Sequence, residues 1–587
     1  MVRQALSFDN NAVAAVLDEI GDLRELKGEN VFRAVTYRAA ARAIRDLREP
    51  LRMYVEQKRL GEIPKVGSSV ADVITQLVTA GKAKRHEELK AAVPEGLLTL
   101  LRVSGVGPAT ARTIYEHLKI TTLDELEEAA KEGRLRRLPK IQARTEENIL
   151  KSIASLRQRT GRSLLDDARS AADAMITWLR EETGCERVAV AGSLRRWRET
   201  IGDVDLLVAA AEPAPIMDTF VRAPTVDRVI ARGDTKSSVI VERGLQIDLR
   251  VIPEASWGAA LVYFTGSKEH NVRLRGIALR KKLLLNEYGL YRIGEEKGGT
   301  PVASATEEDV YAALGMAWIP PEIREDRGEI DAATAGALPE LIRVEDIKGD
   351  LHTHSSWTDG RDTIADMARR ARAKGYEYVA LTDHSVGLGM TQGLSLERIR
   401  QRTKEIERLG RELAPFRILV GTEVDIRSNG KLDYPDEVLA LFDVVTASVH
   451  SAFSQPRDVM TERIVGAMRH PLVDAISHPT GRLLERRDPY EVDIDKLIDG
   501  AAETGTRLEV NGGPERLDLP DVWVRRAIDK GVCLVVNSDA HAIEELDYMD
   551  NAVATARRGW ATKASVDNVN VLEKLVGLRP KRKGKQA

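Results

Sequence analysis

Residues 192–205 read Gly-Ser-Leu-Arg-Arg-Trp-Arg-Glu-Thr-Ile-Gly-Asp-Val-Asp and lie between two apolar runs. Before them, Arg187-Val188-Ala189-Val190-Ala191 reads as a strand; after them, Leu206-Leu207-Val208 extends the alternating Asp203-Val204-Asp205 into a second strand. Residues i and i+2 of a strand share a face, so Asp203 and Asp205 point the same way. Adjacent carboxylates repel unless a cation lies between them, and a face carrying both suits a divalent metal. Gln246-Ile247-Asp248-Leu249-Arg250-Val251 is a further alternating strand, which brings Asp248 to the same platform if it pairs beside the first. Gly192-Ser193 forms a tight turn whose amides and hydroxyl suit a phosphate, with Arg195 and Arg196 close behind. The competing account is a pair of surface acids on an edge strand.

At 587 residues the chain exceeds one domain severalfold, and about 100 to 200 residues per domain gives roughly three to five units. Its 88 basic and 91 acidic residues leave a net charge of −3, so affinity for a polyanion depends on where the cations lie. They cluster. Residues 131–162 hold ten Lys or Arg against three Glu, and the tail from Arg579 to Lys585 has five cations and no acid, a pattern that a solubilising tail also shows. Two cysteines, Cys185 and Cys533, imply no disulfide framework, and no signal peptide or long apolar run is present. A cytoplasmic protein without a membrane segment is expected.

The first 80 or so residues read as helices over Asn11–Gly28, Phe32–Asp46 and Val70–Val78. Ile63-Pro64-Lys65-Val66-Gly67 stands just before the third, and Val103-Ser104-Gly105-Val106-Gly107-Pro108 just before a helix over Thr110–Leu118. A glycine-flanked turn that opens a helix aims several backbone amides at one point, which a DNA phosphate satisfies without any reading of sequence. Leu138-Pro139-Lys140-Ile141-Gln142 is a weaker third copy that lacks the glycine.

These hairpins, the Gly-Ser turn and the Asp-x-Asp strand together resemble the DNA polymerase beta group, family X. The resemblance implies a helical domain over 1–85 with a helix-hairpin-helix, fingers with a second one over 86–160, a nucleotidyltransferase palm over 161–255 and a thumb over 256–320. On matching positions, Asp203, Asp205 and Asp248 are implied as catalytic ligands of Mg²⁺, with Asp248 giving general-base assistance to a primer 3′-hydroxyl. Arg162, Ser193, Arg196 and Gly202 fall where the incoming triphosphate is held. Tyr263-Phe264-Thr265-Gly266-Ser267 resembles the family's sugar-sensing turn, Asn271 its contact to the nascent base pair and Arg275 its template-side contact. Lys65, Gly67, Gly105 and Gly107 are the implied DNA-backbone contacts. One position departs from the family: Val73 stands where a lysine would form a Schiff base at a cleaved abasic site, so 5′-deoxyribose-phosphate lyase activity is not expected there. Lys65, Lys82 and Lys84 remain available to a 5′-phosphate.

Residues 321–346 shift to Pro, Gly, Ala and mixed charge, and read as a partly ordered linker. Beyond it, strand candidates at Tyr378–Leu381, Arg417–Val420, Val444–Ser448, Val473–Ile476, Arg507–Val510 and Val532–Val536 alternate with helices, the pattern of a wound α/β barrel over 347–578. His352, His354, Asp359, His384, Glu423, His450, His478, Asp539 and His541 stand near strand ends, where barrel enzymes build their sites. Imidazole mixed with carboxylate suits Zn, Mn or Fe. The pattern resembles the PHP domain, a metal-dependent phosphoesterase that commonly holds three metals, and all nine of that family's ligand positions are filled.

The expected protein is thus multidomain, α and α/β. It is a monomeric repair polymerase that fills gapped or nicked double-stranded DNA from deoxynucleoside triphosphates. Mg²⁺ is expected at the first site, and Mn²⁺ or Zn²⁺, up to three ions, at a 3′-to-5′ exonuclease site. The rivals are a phosphatase of small esters with a degenerate polymerase attached, and a non-catalytic binder of DNA ends.

Overall fold

The computed structural model describes residues 10–577, apart from 30, 46, 48–50, 95, 102, 104, 140, 160–161, 296–298 and 388–392. Arg102, Ser104, Lys140 and the basic tail 579–587 therefore lie outside the described residues. The chain divides into two compact units, residues 1–160 together with 485–488, and residues 161–484 together with 489–587.

The first unit is helical. Asn10–Leu26 and Val31–Arg45 bury Val13, Leu17, Ile20 and Leu23 against Tyr37, Ala41 and Ile44, a three-to-four residue spacing that puts each set on one helix face. A 3₁₀ turn at Leu60–Glu62 leads through Gly67 into the helix Ser68–Ala80. Gly107 opens Pro108–Leu118 in the same way. Both hairpins place the residue two before that glycine in the left-handed region, Lys65 at φ 66° and Gly105 at φ 88°. The weaker third copy repeats the order, a 3₁₀ turn at Leu135–Arg137 and then the helix Ala143–Arg159. The buried Glu146 of this helix ties it to the 3₁₀ turn, accepting from the Arg136 backbone at 2.9 Å.

In the second unit a five-stranded sheet runs in the order Val188–Val190, Asp203–Ala209, Gln246–Ile252, Lys236–Val241, Val226–Arg232. Val204, Leu206 and Val208 face the helices Leu165–Thr183 and Pro213–Val221, burying Met175, Leu179 and Phe220. Leu207 faces the other way, towards Ala260 and Leu261 on the helix Trp257–Thr265. Period-two alternation therefore leaves Asp203 and Asp205 on the side of that helix.

Residues 321–346 form no loose spacer. Ile323, Ile330 and Leu341 join the core built by Trp257–Thr265, Lys268–Arg280 and Glu307–Ala313. Arg324 is fully buried, with Nη1 donating to Glu307 at 2.7 Å, and the fully buried Glu329 meets His270 Nδ1 at 2.6 Å. Part of the polar composition that reads as a linker is here buried ion pairing, while Asp331, Glu340 and Arg343 remain exposed.

Seven parallel strands then pair in chain order: Gly349–Thr353, Tyr378–Leu381, Arg417–Asp425, Val444–Ser448, Ala475–Ile476, Arg507–Asn511 and Leu534–Asn537. Asp539 and His354 backbone bonds to His352 and Ala540 join the last strand end to the first. The first strand escapes the sequence pattern, because Asp350 and His352 occupy buried positions where a strand pattern expects apolar residues. At the opposite end, Leu572 and Leu575 pack on Leu351, Leu419 and Val535.

The barrel and the five-stranded sheet share a packed boundary. Leu517, in a loop of the barrel, is 1% exposed within the core of the sheet. Arg482 donates to Glu199 at 2.7 Å, and Asn551 to Asp166 at 2.9 Å.

Candidate active sites

The strand Asp203–Ala209 pairs in parallel with Gln246–Ile252, in a register that sets Asp205 opposite Asp248. The two strands thus deliver three carboxylates to one sheet end. Burial, and then the neighbouring Asp203 and Asp248, push the Asp205 carboxyl up to about 6, the response expected of acids gathered for a cation. Burial would also raise Asp248, but Lys236 at 2.8 Å and Gln246 at 2.8 Å outweigh it and hold the group below the usual carboxylate range.

Gly192 sits at φ 59°, and a Cβ there would stand 2.3 Å from Asp205 Oδ2. Gly192→Ala is therefore expected to displace the carboxylate and weaken divalent-cation binding at this sheet end at least about tenfold, equivalent to ~1.4 kcal/mol, which a metal titration of the variant beside the parent checks.

A cleft of about 640 Å³ opens beside these acids, lined by Arg162, Gly192, Ser193, Arg196, Gly202, Asp203, Asp205, Tyr263, Phe264, Gly266, Asn271 and Arg275. Every substrate-binding residue expected from the resemblance lines this one cleft. Tyr263 and Phe264 meet edge to face at 5.0 Å and are part-exposed on the cleft wall, with Phe264 also packed on the apolar cluster of Ala260 and Leu261. Asn271 donates to the Tyr263 carbonyl at 2.6 Å while its own buried Oδ1 has no partner, leaving an acceptor at the cleft. Arg162 donates to Thr200 at 2.9 Å, and its Nη1 would be 3.1 Å from a Cβ on Gly202. Arg195, grouped with Arg196 by sequence, is instead a bidentate partner of Glu307 at 2.8 Å for both bonds, so it braces the helices. Arg198 and Lys268 line the cleft and were not anticipated; isolated cations between motif positions carry no spacing signal.

At the carboxyl ends of the barrel strands, nine side chains converge. His384 Nδ1 lies 3.0 Å and His352 Nε2 3.5 Å from Glu423 Oε2; His478 Nε2 lies 3.0 Å and His450 Nε2 3.4 Å from Glu423 Oε1. His354 Nε2 is 3.2 Å from Asp539, while His384 Nε2 and His541 Nε2 are 3.1 and 3.6 Å from Asp359. Among the described residues, three groups have ligand atoms close enough to share an ion: His354, Asp359, His384 and His541; His352, His354 and Asp539; and His384, Glu423 and His450. His478 stands outside these groups but touches Glu423.

The donor set fits metal ions on a further observation. His352 Nε2, both nitrogens of His354, and Asp539 Oδ1 are buried with no hydrogen-bond partner, which costs free energy unless something else is bound. Asp539 and His478 also hold left-handed backbone, φ 57° and 30°, which non-glycine residues adopt mainly where a site demands it. Burial, with His541 and His384 nearby, drives His354 down to about 4. For His384, burial acts in the same direction, but Glu423 and Asp359 outweigh it and raise the ring to about 10.

Glu509 was not foreseen. Fully buried, it meets His352 Nδ1 at 2.6 Å, accepts from Asn537 at 2.9 Å and from the His478 backbone at 2.7 Å. A carboxylate on the far nitrogen orients an imidazole towards its metal and raises its basicity. Its only sequence signal is a lone acid inside an apolar strand.

Family models match four stretches: a helix-hairpin-helix domain over residues 8–83, a SAM-like helix-hairpin-helix tandem over 97–155, the DNA polymerase beta thumb over 260–325 and the PHP domain over 350–510. The tandem spans both the second hairpin and the weaker third one. The chain is 39% identical over 563 residues to the DNA polymerase/3′-5′ exonuclease PolX of Bacillus subtilis (strain 168), covering 96% of this chain and 97% of that protein. It is also 29% identical over 240 residues to a "probable phosphatase" of Thermoanaerobacter sp. (strain X514), 38% of this chain and 90% of the relative. A "probable phosphatase" of Acetivibrio thermocellus is 30% identical over 213 residues, 34% of this chain and 82% of the relative. With helical hairpins, a three-carboxylate sheet end beside a polymerase beta thumb, and a nine-ligand barrel in that order, the chain belongs to the family X DNA polymerases that carry a C-terminal PHP domain.

Proposed function

We propose that this protein is a DNA-directed DNA polymerase that fills short gaps during repair and carries a metal-dependent 3′-to-5′ exonuclease in its barrel. The carrying observation is the cleft in which Asp203 and Asp205, with Asp248 beside them, meet all the expected triphosphate- and base-side residues. Ser193, Arg196 and Arg162 hold the triphosphate, Tyr263, Phe264 and Gly266 close on the sugar, Asn271 presents its free acceptor to the nascent pair, and Arg275 meets the template. The three aspartates hold Mg²⁺, and the barrel ligands hold up to three ions, Mn²⁺ or Zn²⁺. Bound divalent ions supply charge stabilisation at phosphoryl oxygens and a more acidic nucleophile. In the barrel, Glu509 keeps His352 turned inward and Asn511 donates to Asp539 at 2.9 Å, so the ligand atoms are fixed before substrate arrives. On this reading the protein works as a cytoplasmic monomer on gapped or nicked duplexes.

Primer extension and degradation on a single gapped duplex, with Mg²⁺ and Mn²⁺ compared, test this directly. Absence of extension under both would refute the polymerase. The likeness to probable phosphatases makes a small phosphate ester the alternative barrel substrate, and faster hydrolysis of a monoester than of DNA would favour it.

Hairpin amides contact phosphates and read no base edges, so duplex binding should be nearly independent of sequence and fall steeply with salt. With about six phosphates contacted, affinity should drop about 1,000-fold between roughly 50 and 200 mM salt. Lys131, Arg134 and Arg136 are ion-paired with Glu127, Glu132 and Glu146, so the slope should be shallower than a count of cations implies. A salt titration of binding decides. Val73, 2% exposed in the helical core, offers no amine at the lyase position, and borohydride treatment with an incised abasic site should trap no adduct.

A further inference from the structure

Arg558 ends the helix Met549–Arg558 of the barrel, yet most of its acceptors belong to the other side of the boundary. Its Nη1 donates to the Arg196 carbonyl at 2.5 Å, to Glu325 Oε1 at 3.1 Å and to the Glu322 carbonyl at 3.3 Å. Its Nη2 donates to Asp521 at 2.7 Å, and the side chain is only 4% exposed. A guanidinium so withdrawn from water needs its acceptors, so the contacts are held firmly.

The same Glu325 oxygen accepts from Arg196 Nε at 3.1 Å, and Arg196 Nη1 donates to the Thr265 carbonyl at 2.5 Å, at the start of the Gly266 turn. Arg196 is thus fixed at both ends by groups that Arg558 touches: its carbonyl directly, its guanidinium through the shared carboxylate. Sharing that carboxylate also leaves Arg196 less fully neutralised and better able to meet an anion. Remove Arg558, and Glu325 is left to Arg196 and to Arg198, 3.8 Å away, so more of its charge falls on Arg196 while the Arg196 carbonyl loses its donor.

We propose that Arg558 is a positioning residue of the nucleotide cleft, so that the barrel is a working part of the polymerase site. This rests on the reading that Arg196 binds the triphosphate. It assigns no chemistry to Arg558, which does not line the cleft.

The test is single-nucleotide extension by the full chain. In Arg558→Met, KM for the deoxynucleotide should rise about tenfold, as for one lost charge-assisted hydrogen bond, with kcat changed less than about threefold. DNA degradation should hold at the parent rate. Arg558→Lys, whose single ammonium reaches fewer acceptors, should give an intermediate KM, and it serves alone should the methionine variant not fold. Arg557→Met is the control, because Arg557 braces the same boundary through Glu322 at 2.9 Å and the Ile342 carbonyl at 2.7 Å without touching Arg196. A parent-like KM in the Arg558 variants, or an equal rise in Arg557→Met, overturns the proposal. So does a joint fall of kcat, degradation and melting temperature at constant KM, which marks a structural brace. An unmodified chain that adds no nucleotide overturns the functional reading and this inference together, whereas an unchanged KM beside an active parent overturns the inference alone.

Discussion

Asp203→Ala combined with Asp205→Ala is expected to abolish nucleotide addition and leave DNA degradation nearly intact. Both carboxylates sit on one strand end beside the cleft, and no residue of the barrel's nine-ligand cluster comes from that sheet. Loss of several kcal/mol of charge stabilisation at the reacting phosphate corresponds to a fall on the order of 1,000-fold or more. The variant should remain folded. Burial and its neighbours already make the Asp205 charge unfavourable, so in the presence of chelator the double variant should melt no lower than the parent. Extension and degradation rates on one gapped duplex, with a melting curve beside them, give the answer. Persistent primer extension would remove these aspartates from the mechanism. The separation does not depend on a spacer, since residues 321–346 are packed into the core; it depends on the two sites drawing ligands from different strands.

The converse loss is expected at the barrel. Asp539→Ala, or His352→Ala, should remove hydrolysis by a similar factor, on the order of 1,000-fold, while gap filling continues. Asp539 Oδ1 lies 3.4 Å from His352 Nε2 and 3.2 Å from His354 Nε2, so its removal opens one of the three groups able to share an ion. His352→Ala also strips Glu509 of its 2.6 Å partner, the one cationic-capable group on it, and leaves a buried carboxylate held by the Asn537 and Asn511 amides and the His478 backbone. It should therefore lower the melting temperature more than Asp539→Ala, which makes the aspartate variant the cleaner test. Bound metal per chain should fall in both. Undiminished hydrolysis at unchanged metal content would reduce the barrel to a scaffold.

Much of this was legible in the linear chain, for a local reason. Alternation every second residue places Asp203 and Asp205 on one face whatever surrounds them, and glycines before helices mark the hairpins wherever they occur. The barrel strand Tyr378–Leu381 carries a continuous apolar run, Val444–Ser448 is rich in β-branched residues, and both lie where the pattern puts them. The strand Gly349–Thr353 does not, because its buried polar residues make sense only beside partners far away in sequence.

What tertiary structure alone decided is how charges are shared. Arg195 and Arg196 are adjacent in sequence, yet one is clamped by Glu307 and the other turns to the cleft. Glu509 becomes a partner of His352 across 157 residues, and Arg558 reaches Arg196 across 362. A residue's type and neighbours set which face it occupies, and that much the sequence by itself determined. Which opposite charge waits there depends on long-range packing, since Coulombic and hydrogen-bond partners are chosen by distance in space.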